Sequence, residues 1–178
     1  MITLIIGGPN SGKSVYAEDL LVRLSNGCSM YYIATMRVMD SEGLKRIERH
    51  RQQRHNKGFI TIEEETDMKK AAGQLKSGSF VLLECIANLT ANLMFSEKES
   101  PEKDTEITIL KDVDILSQKC RELVIVSSRY PLEGDGYDEA TRAYATLLDS
   151  VNQRLINMAD AVIECGSGSI KALKGEMR

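Results

Sequence analysis

Residues 2–14 read ITLIIGGPNSGKS: an apolar run that leads directly into three glycines, a proline and a single lysine. Glycine and proline are poor choices inside a helix or a strand, so packing alone does not account for this composition. From Gly7 the stretch fits the pattern G-x-x-x-x-G-K-[S/T], whose last two positions are Lys13 and Ser14. Backbone N–H groups of such a loop can surround phosphate oxygens without Cβ clashes, and the dipole of a following helix favours an anion.

Residues 7–14, called the glycine-rich loop below, therefore predict a binding site for a nucleoside triphosphate. We expect Lys13 to contact the β- and γ-phosphates and the hydroxyl of Ser14 to bind Mg²⁺. An apolar run precedes the loop and a helical pattern follows it, which is the context that this motif requires. The alternative is a strand-to-helix turn that carries its lysine by chance.

The composition is that of a globular protein, with 42% apolar and 28% charged residues in a chain of 178. This length predicts one domain over residues 1–178. The net charge of −3 gives no support for a nucleic-acid or membrane partner. No apolar run approaches the roughly 20 residues that span a bilayer. Because no basic segment precedes the first apolar run and the four cysteines form no C-x-x-C pair, we expect a cytoplasmic protein with free, mostly buried thiols.

Short apolar runs alternate with helical patterns along the chain. Strands are predicted at 2–6, 30–34, 80–84, 123–127 and 161–165, with a short edge strand at 59–62. Several of these runs lack polar alternation, which is typical of strands covered on both faces in a parallel sheet. Helices are predicted at 13–24, 41–56 and 140–158. The alternation predicts a three-layer α/β fold with right-handed crossovers and a mainly parallel central sheet.

The predicted strand at 80–84 ends in an acid, Glu84. The carboxyl edge of a parallel sheet is where α/β folds bind ligands, and a carboxylate at that edge can hold the water shell of Mg²⁺. We therefore expect Glu84 and Ser14 to form the protein's part of a Mg²⁺ site. The alternative is an acid at a strand end that faces solvent.

Residues 41–56, SEGLKRIERHRQQRHN, are a predicted helix in which cations crowd together in an otherwise acidic chain. Helix periodicity puts Arg46, His50 and Arg54 on one face, where like charges repel unless an anion such as a polyphosphate binds. A neutral imidazole is a good nucleophile near physiological pH, so His50 is a candidate nucleophile. The arginines would stabilise negative charge on the attacked phosphorus. A solvated helix face is the alternative, and His55 is expected to be an ordinary surface residue.

Taken together, these stretches resemble the bifunctional adenosylcobinamide kinase / adenosylcobinamide-phosphate guanylyltransferase family of cobalamin biosynthesis. The matching segments follow the family order and cover most of the chain: IIGGPNSGKSVYAE, YYIAT, RIERHRQQR, GFITIEE, LLECIANLTANLMF and VNQRLINMAD. The resemblance implies a P-loop NTPase (RecA-like) fold and a homotrimer. It also implies two reactions. A nucleoside triphosphate phosphorylates a corrinoid hydroxyl, and GMP then passes from GTP to that phosphate through a guanylylated histidine.

The resemblance also implies roles for individual residues. The nucleophilic histidine corresponds to His50, and Lys13 would stabilise charge in both reactions. The implied substrates and cofactors are adenosylcobinamide or its phosphate, GTP, ATP and Mg²⁺, with Ser14 and Glu84 at the metal. Nucleotide contacts are implied for Gly7, Gly8, Pro9, Asn10, Ser11, Gly12, Lys13, Ser14, Ala34, Thr35, Met36, Arg51, Gln52, Gln53, Arg54, Glu63 and Glu84.

One loop departs from the family. After the fifth strand the family typically reads V-x-N-E-V-G and then G-x-V-P, whereas this chain reads VIVSSRYPLEGDGY at 124–137. The serines and the arginine at 127–129 are candidates to substitute for the missing Asn-Glu pair. Two other interpretations therefore stay open. The chain is either a plain P-loop kinase or NTPase for another small substrate, or a non-catalytic nucleotide-binding homologue.

Overall fold

The computed structural model describes residues 1–38, 40–96, 102–130, 136–166 and 168–177. Within these residues the strands are β1 (Ile2–Gly7), β2 (Met30–Ala34), β3 (Phe59–Glu63), β4 (Ser79–Glu84), β5 (Cys120–Ser128), β6 (Ala161–Gly166) and β7 (Ser169–Lys174). The helices are α1 (Lys13–Ser25), α2 (Ser41–Arg54), α3 (Met68–Gly73), α4 (Ile86–Met94), α5 (Glu102–Lys119) and α6 (Glu139–Met158).

The strands form a seven-stranded sheet in the order β3-β2-β4-β5-β1-β6-β7. Across the sheet, β3, β2, β4, β5, β1 and β6 each run parallel to their neighbours. Strand β7, at the edge, runs antiparallel to β6. The mainly parallel α/β sheet and all six predicted strands are confirmed. The sequence does not predict β7, because all six of its residues are exposed and no buried apolar run marks it.

The central strands are buried on both faces. Leu4 and Ile5 are consecutive residues of β1 that point to opposite sides of the sheet, and neither is exposed to solvent. Helix α1 packs against β1, β2, β4 and β5, whereas α4, α5 and α6 pack on one another and on β1 and β5. Apolar runs without alternation therefore give strands with helices above and below, as predicted.

Parallel pairing brings the carboxyl ends of the strands to one edge of the sheet. Ala34, which ends β2, pairs with Glu63 of β3 and with Glu84 of β4. Gly7, which ends β1, pairs with Ser128 of β5 and with Cys165 of β6. The glycine-rich loop and the two acids therefore start from the same edge, where α/β sheets bind ligands.

All four cysteines are free thiols: Cys85 and Cys165 are buried, Cys120 is half-buried and Cys28 is exposed. In the part of the chain that the structure describes, no helix is both long enough and apolar enough to cross a bilayer.

Candidate active site

The end of β1 and the glycine-rich loop depend on glycine for steric reasons. A Cβ on Gly7 would lie 2.3 Å from the carbonyl oxygen of Cys165 and 2.6 Å from the hydroxyl oxygen of Ser11. Gly12 has a φ of +81°, in the left-handed region that side chains rarely adopt. Helix α1 begins directly after it, at Lys13. Since Gly12 offers no capping side chain, the first N–H groups of α1 are available to an anion.

Lys13 and Ser14, the two residues at the start of α1 that are predicted to be functional, are held by hydrogen bonds. The Lys13 ammonium donates to the carbonyl of Gly8 at 3.0 Å, so it lies over the glycine-rich loop. The Ser14 hydroxyl donates to Glu84 Oε1 at 2.8 Å, which connects the start of α1 to the end of β4. Burial raises the pKa of Glu84 to about 7, although the Ser14 hydrogen bond and the charge of Lys13 oppose the increase.

Ser14 and Glu84 provide a donor set that fits Mg²⁺. A hydroxyl and a carboxylate are the oxygen ligands that this cation prefers, with phosphate and water oxygens completing its octahedron. Glu84 Oε2 is buried and has no hydrogen-bond partner within the described residues. Among those residues, no three His, Cys, Asp or Glu side chains are placed so that they could hold a metal ion together. The donors therefore suit a cation that shares its ligands with a bound polyphosphate rather than one held by protein alone.

The segment after β2 forms another part of the site, and Thr35 fixes it in place. The Thr35 hydroxyl accepts from Cys85 N at 2.8 Å and is 2.9 Å from the carbonyl oxygen of Cys85. Asn92 of α4 donates to the Thr35 carbonyl at 2.7 Å. Ala34 and Met36 line the cavity described below, whereas the Thr35 side chain is fully buried. Thr35 thus positions its neighbours, and its direct contact with a nucleotide stays a prediction.

Helix α2 is attached to the fold mainly through its carboxyl end. Arg54 is its one buried residue among those whose burial the structure describes. The Arg54 guanidinium carbon lies 4.0 Å from the centre of the Tyr32 ring, and its Nε donates to the Thr61 hydroxyl at 3.3 Å. Just beyond the helix, the Lys57 ammonium lies 2.9 Å from Oε2 of the fully buried Glu18. These contacts join α2 to β2, β3 and α1.

An open cavity of about 1110 Å³ lies between the glycine-rich loop and α2. Its wall includes Lys13, Ser14, Glu84 and His50, which come from α1, β4 and α2. The other predicted nucleotide-binding residues along this wall are Pro9, Asn10, Ser11, Gly12, Ala34, Met36, Arg51, Gln53, Arg54 and Glu63.

Two residues of α2 are predicted to belong to the site but are not seen to line the cavity. Gln52 is exposed and donates to Glu48 Oε1 at 3.1 Å on its own helix, rather than lining the cavity. The side chain of Arg46, predicted to share a face with His50, lies outside the described residues. Arg51 does line the cavity, and it forms an ion pair with Glu63 that ties α2 to the end of β3.

The segment that departs from the family sequence packs against the glycine-rich loop. The Ser127 hydroxyl donates to Asn152 Oδ1 at 2.6 Å, and Asn152 Nδ2 donates to the Ser128 carbonyl at 3.0 Å. The backbone N–H of Arg129 donates to the Gly7 carbonyl at 3.1 Å, and its guanidinium pairs with Glu164 at 2.6 Å. These residues therefore brace the loop through internal bonds. Residues 131–135 of the same segment lie outside the described residues.

Sequence reasoning missed several residues of this site. Glu18 interrupts the apolar face of α1 formed by Ala17, Leu20 and Leu21. A carboxylate at such a position indicates that a cation pairs with it in the fold. Tyr130, which lines the cavity, lies in no motif, and Tyr32, which packs under Arg54, lies in the YYIAT segment without a role assigned to it there.

Comparison with known proteins agrees with the family resemblance seen in the sequence. A family model described as cobinamide kinase / cobinamide phosphate guanyltransferase matches residues 3–173. The bifunctional adenosylcobalamin biosynthesis protein CobU of Escherichia coli is 29% identical over 173 residues, covering 91% of this chain and 93% of that protein. The protein of the same name from Salmonella typhimurium is 28% identical over 183 residues, with the same coverage of 91% and 93%.

Solved structures with the same fold are more distant in sequence. The flagellar accessory protein FlaH from Methanocaldococcus jannaschii superposes with a TM-score of 0.51 at 18% identity, covering 99% of this chain and 79% of that one. The RadB recombinase gives a TM-score of 0.51 at 16% identity, with coverage of 92% and 73%. At these identities the likeness concerns the fold alone, and it confirms the predicted RecA-like P-loop architecture.

Proposed function

Since this chain belongs to the cobinamide kinase / cobinamide phosphate guanyltransferase family, we propose that the cavity between the glycine-rich loop and α2 carries out both reactions of that family. Cobinamide kinase and cobinamide phosphate guanylyltransferase are both transferase activities that act on a corrinoid acceptor. The observation that carries the proposal is that Lys13, Glu84 and His50 line one cavity although they come from three different elements.

The kinase reaction uses the glycine-rich loop. Its N–H groups and the amino terminus of α1 hold the triphosphate, and Lys13 moves from the Gly8 carbonyl to the phosphate oxygens. The acceptor hydroxyl attacks the γ-phosphorus, an O–P bond forms, the bond to the nucleoside diphosphate breaks and the hydroxyl proton is released. Ser14 and Glu84 would hold Mg²⁺, which would neutralise part of the charge on the phosphates.

The guanylyl transfer uses α2. An imidazole nitrogen of His50 attacks the α-phosphorus of GTP, forming a P–N bond as pyrophosphate leaves. A phosphate oxygen of the acceptor then attacks the same phosphorus, the P–N bond breaks and a diphosphate bond forms. Covalent catalysis divides a difficult transfer into two displacements. Arg49, Arg51 and Arg54 supply positive charge along the cavity wall beside His50.

The finer assignments belong to this proposal as well. GTP is the guanylyl donor, either ATP or GTP is the phosphoryl donor, and the protein acts in the cytoplasm as a homotrimer of single-domain subunits. Analytical ultracentrifugation of the purified protein measures the assembly state, and a monomer would contradict the trimer.

The test separates the two reactions with three variants. Lys13→Ala should abolish both phosphorylation of adenosylcobinamide and transfer of GMP to its phosphate, because both need the triphosphate in the loop. His50→Ala should retain phosphorylation and lose GMP transfer. His55→Ala is the matched control, since His55 is exposed and bonds to the neighbouring Asn56, and it should retain both. A His50→Ala variant that transfers GMP at the wild-type rate would contradict the histidine mechanism. A wild-type protein that transfers no GMP, and whose triphosphate turnover survives His50→Ala but not Lys13→Ala, would favour a plain P-loop kinase or NTPase instead.

A further inference from the structure

Three aromatic side chains lie close together beside the cavity, and one of them, Tyr130, lines it. The ring centres of Tyr130 and Tyr144 are 6.0 Å apart, and those of Phe95 and Tyr144 are 6.4 Å apart. Tyr130 lies two residues beyond β5, Tyr144 lies in α6 and Phe95 directly follows α4, so the tertiary fold brings the three together. Phe95, Tyr130 and Tyr144 are called the rim cluster below.

The rim cluster is unusually open to solvent. Phe95 is 55% exposed and Tyr130 is 41% exposed. The chain has only nine aromatic residues, six tyrosines and three phenylalanines, so a third of them stand at this rim. Tyr144 is half-buried, and its hydroxyl donates to the Ala87 carbonyl at 3.1 Å, which fixes the ring that supports the other two. Exposed aromatic surface of this kind is typical of a binding site rather than of a core.

The rim cluster adjoins a neutral part of the cavity. Tyr130 lines the cavity together with Ser128, Ala87 and Asn88, none of which is charged. The α2 wall, in contrast, carries Arg49, Arg51 and Arg54, which suit phosphates. Among the described residues, the cavity therefore offers a cationic wall for a nucleotide and, at Tyr130, a wall of aromatic and neutral polar side chains for a different group.

We propose that the rim cluster binds the ring-shaped body of the corrinoid acceptor, an inference that rests on the proposed function. A corrinoid is a broad macrocycle whose edge carries methyl groups and neutral amide side chains. The apolar edge groups can pack against exposed aromatic rings, and the amide of Asn88 can pair with an amide of the ligand. The reacting hydroxyl or phosphate lies on a side arm of the macrocycle, so it can enter the cavity while the ring stays on the rim.

The experiment compares corrinoid binding with nucleotide chemistry in the same variants. Equilibrium dialysis with adenosylcobinamide phosphate gives the acceptor Kd, and incorporation of GMP from GTP without acceptor gives the first half-reaction. Phe95→Ala and Tyr130→Ala should each raise the acceptor Kd about tenfold or more, because each removes an exposed ring that the bound corrinoid would cover. In Phe95→Ala, whose side chain is not among the residues that line the cavity, GMP incorporation should stay at the wild-type level.

Two control variants guard against indirect effects. Tyr130→Phe keeps the ring and should bind the acceptor like the wild type. Ile170→Ala removes an equally exposed apolar side chain from β7, at the far edge of the sheet, and should change neither readout. Thermal melts of every variant check that the fold is retained.

The outcomes separate this inference from the proposed function. Unchanged acceptor Kd in both alanine variants overturns the inference, and so does a loss confined to GMP incorporation, which would place the rim at the nucleotide base. A change of sedimentation in the variants with unchanged Kd also overturns it and identifies a contact between copies. A wild-type protein that incorporates GMP and does not bind the corrinoid overturns the rim assignment together with the corrinoid acceptor of the proposed function, and leaves the histidine chemistry standing. Corrinoid binding through the cluster without GMP incorporation supports the rim assignment and contradicts the proposed histidine chemistry.

Discussion

Replacing Gly7 by alanine tests how β1 meets β6 beneath the glycine-rich loop. The new Cβ would lie 2.3 Å from the Cys165 carbonyl oxygen, closer than real Cβ contacts come. The backbone of Gly7 is already compatible with alanine, so the effect comes from this contact and not from backbone strain. Because the oxygen belongs to the backbone of a paired strand, it cannot turn away as a side chain would.

The expected magnitude follows from that distance. Bringing the pair to an ordinary separation of about 3.5 Å requires the end of β1 or β6 to move by roughly 1 Å. Insertion of a methyl group into a packed site that must shift costs about 1–3 kcal/mol, and a backbone obstacle favours the upper part of that range. For a chain of this length, we expect the Tm to fall by about 5–10 °C.

The matched control is Gly8→Ala, because a Cβ there meets no atom within 4 Å and Gly8 does not have a positive φ. Differential scanning calorimetry without nucleotide measures both variants. Gly8→Ala should melt close to the wild type, and Gly7→Ala well below it. Equal Tm values for the two variants would show that the end of β1 does not approach Cys165 as described.

Two further predictions concern buried charges. Lys57→Met should lower the free energy of unfolding by about 3 kcal/mol, because it leaves the buried Glu18 carboxylate without its cation. Adding Glu18→Gln to this variant should recover much of the loss. Urea titrations in which the double variant is no more stable than Lys57→Met alone would contradict this prediction. Burial raises the pKa of Glu84 from 4.5 to about 7, so the folded protein binds this proton more tightly than the unfolded chain does. The free energy of unfolding of the wild type should therefore fall as the pH rises from about 4.5 to about 7. At 1.36 kcal/mol per unit of pKa difference, the decrease is at most about 3 kcal/mol, and Glu84→Gln should not show it. Parallel stability profiles of the two proteins in EDTA would refute the assignment.

The parts of the fold that the sequence predicts are those with a local signature. Strands β1 and β4 are consecutive apolar residues buried on both faces, and such runs have few other uses in a soluble chain. Strand β7 carries the sequence SIKALK and is exposed throughout, so its pairing with β6 depends on a tertiary contact that no periodicity reveals.

The candidate site also has parts that the sequence predicts and parts that it does not. The glycine-rich loop is predictable because its geometry imposes residue types at fixed spacing. The contact of Arg54 with Tyr32 is not, because it depends on where α2 lies relative to β2. The resemblance assigns Thr35 to nucleotide binding, yet its hydroxyl is occupied by the backbone of Cys85, which only the paired strands can show.

The central claim is that His50 carries GMP covalently in the cavity shared with Lys13. The most direct measurement is mass spectrometry of the protein after incubation with GTP and Mg²⁺, with fragmentation that locates the modified residue. We predict a mass increase of one GMP, located on His50, absent from His50→Ala and lost when adenosylcobinamide phosphate is added. A GMP located on His55 or any other residue, or a wild-type protein that stays unmodified, would contradict the account.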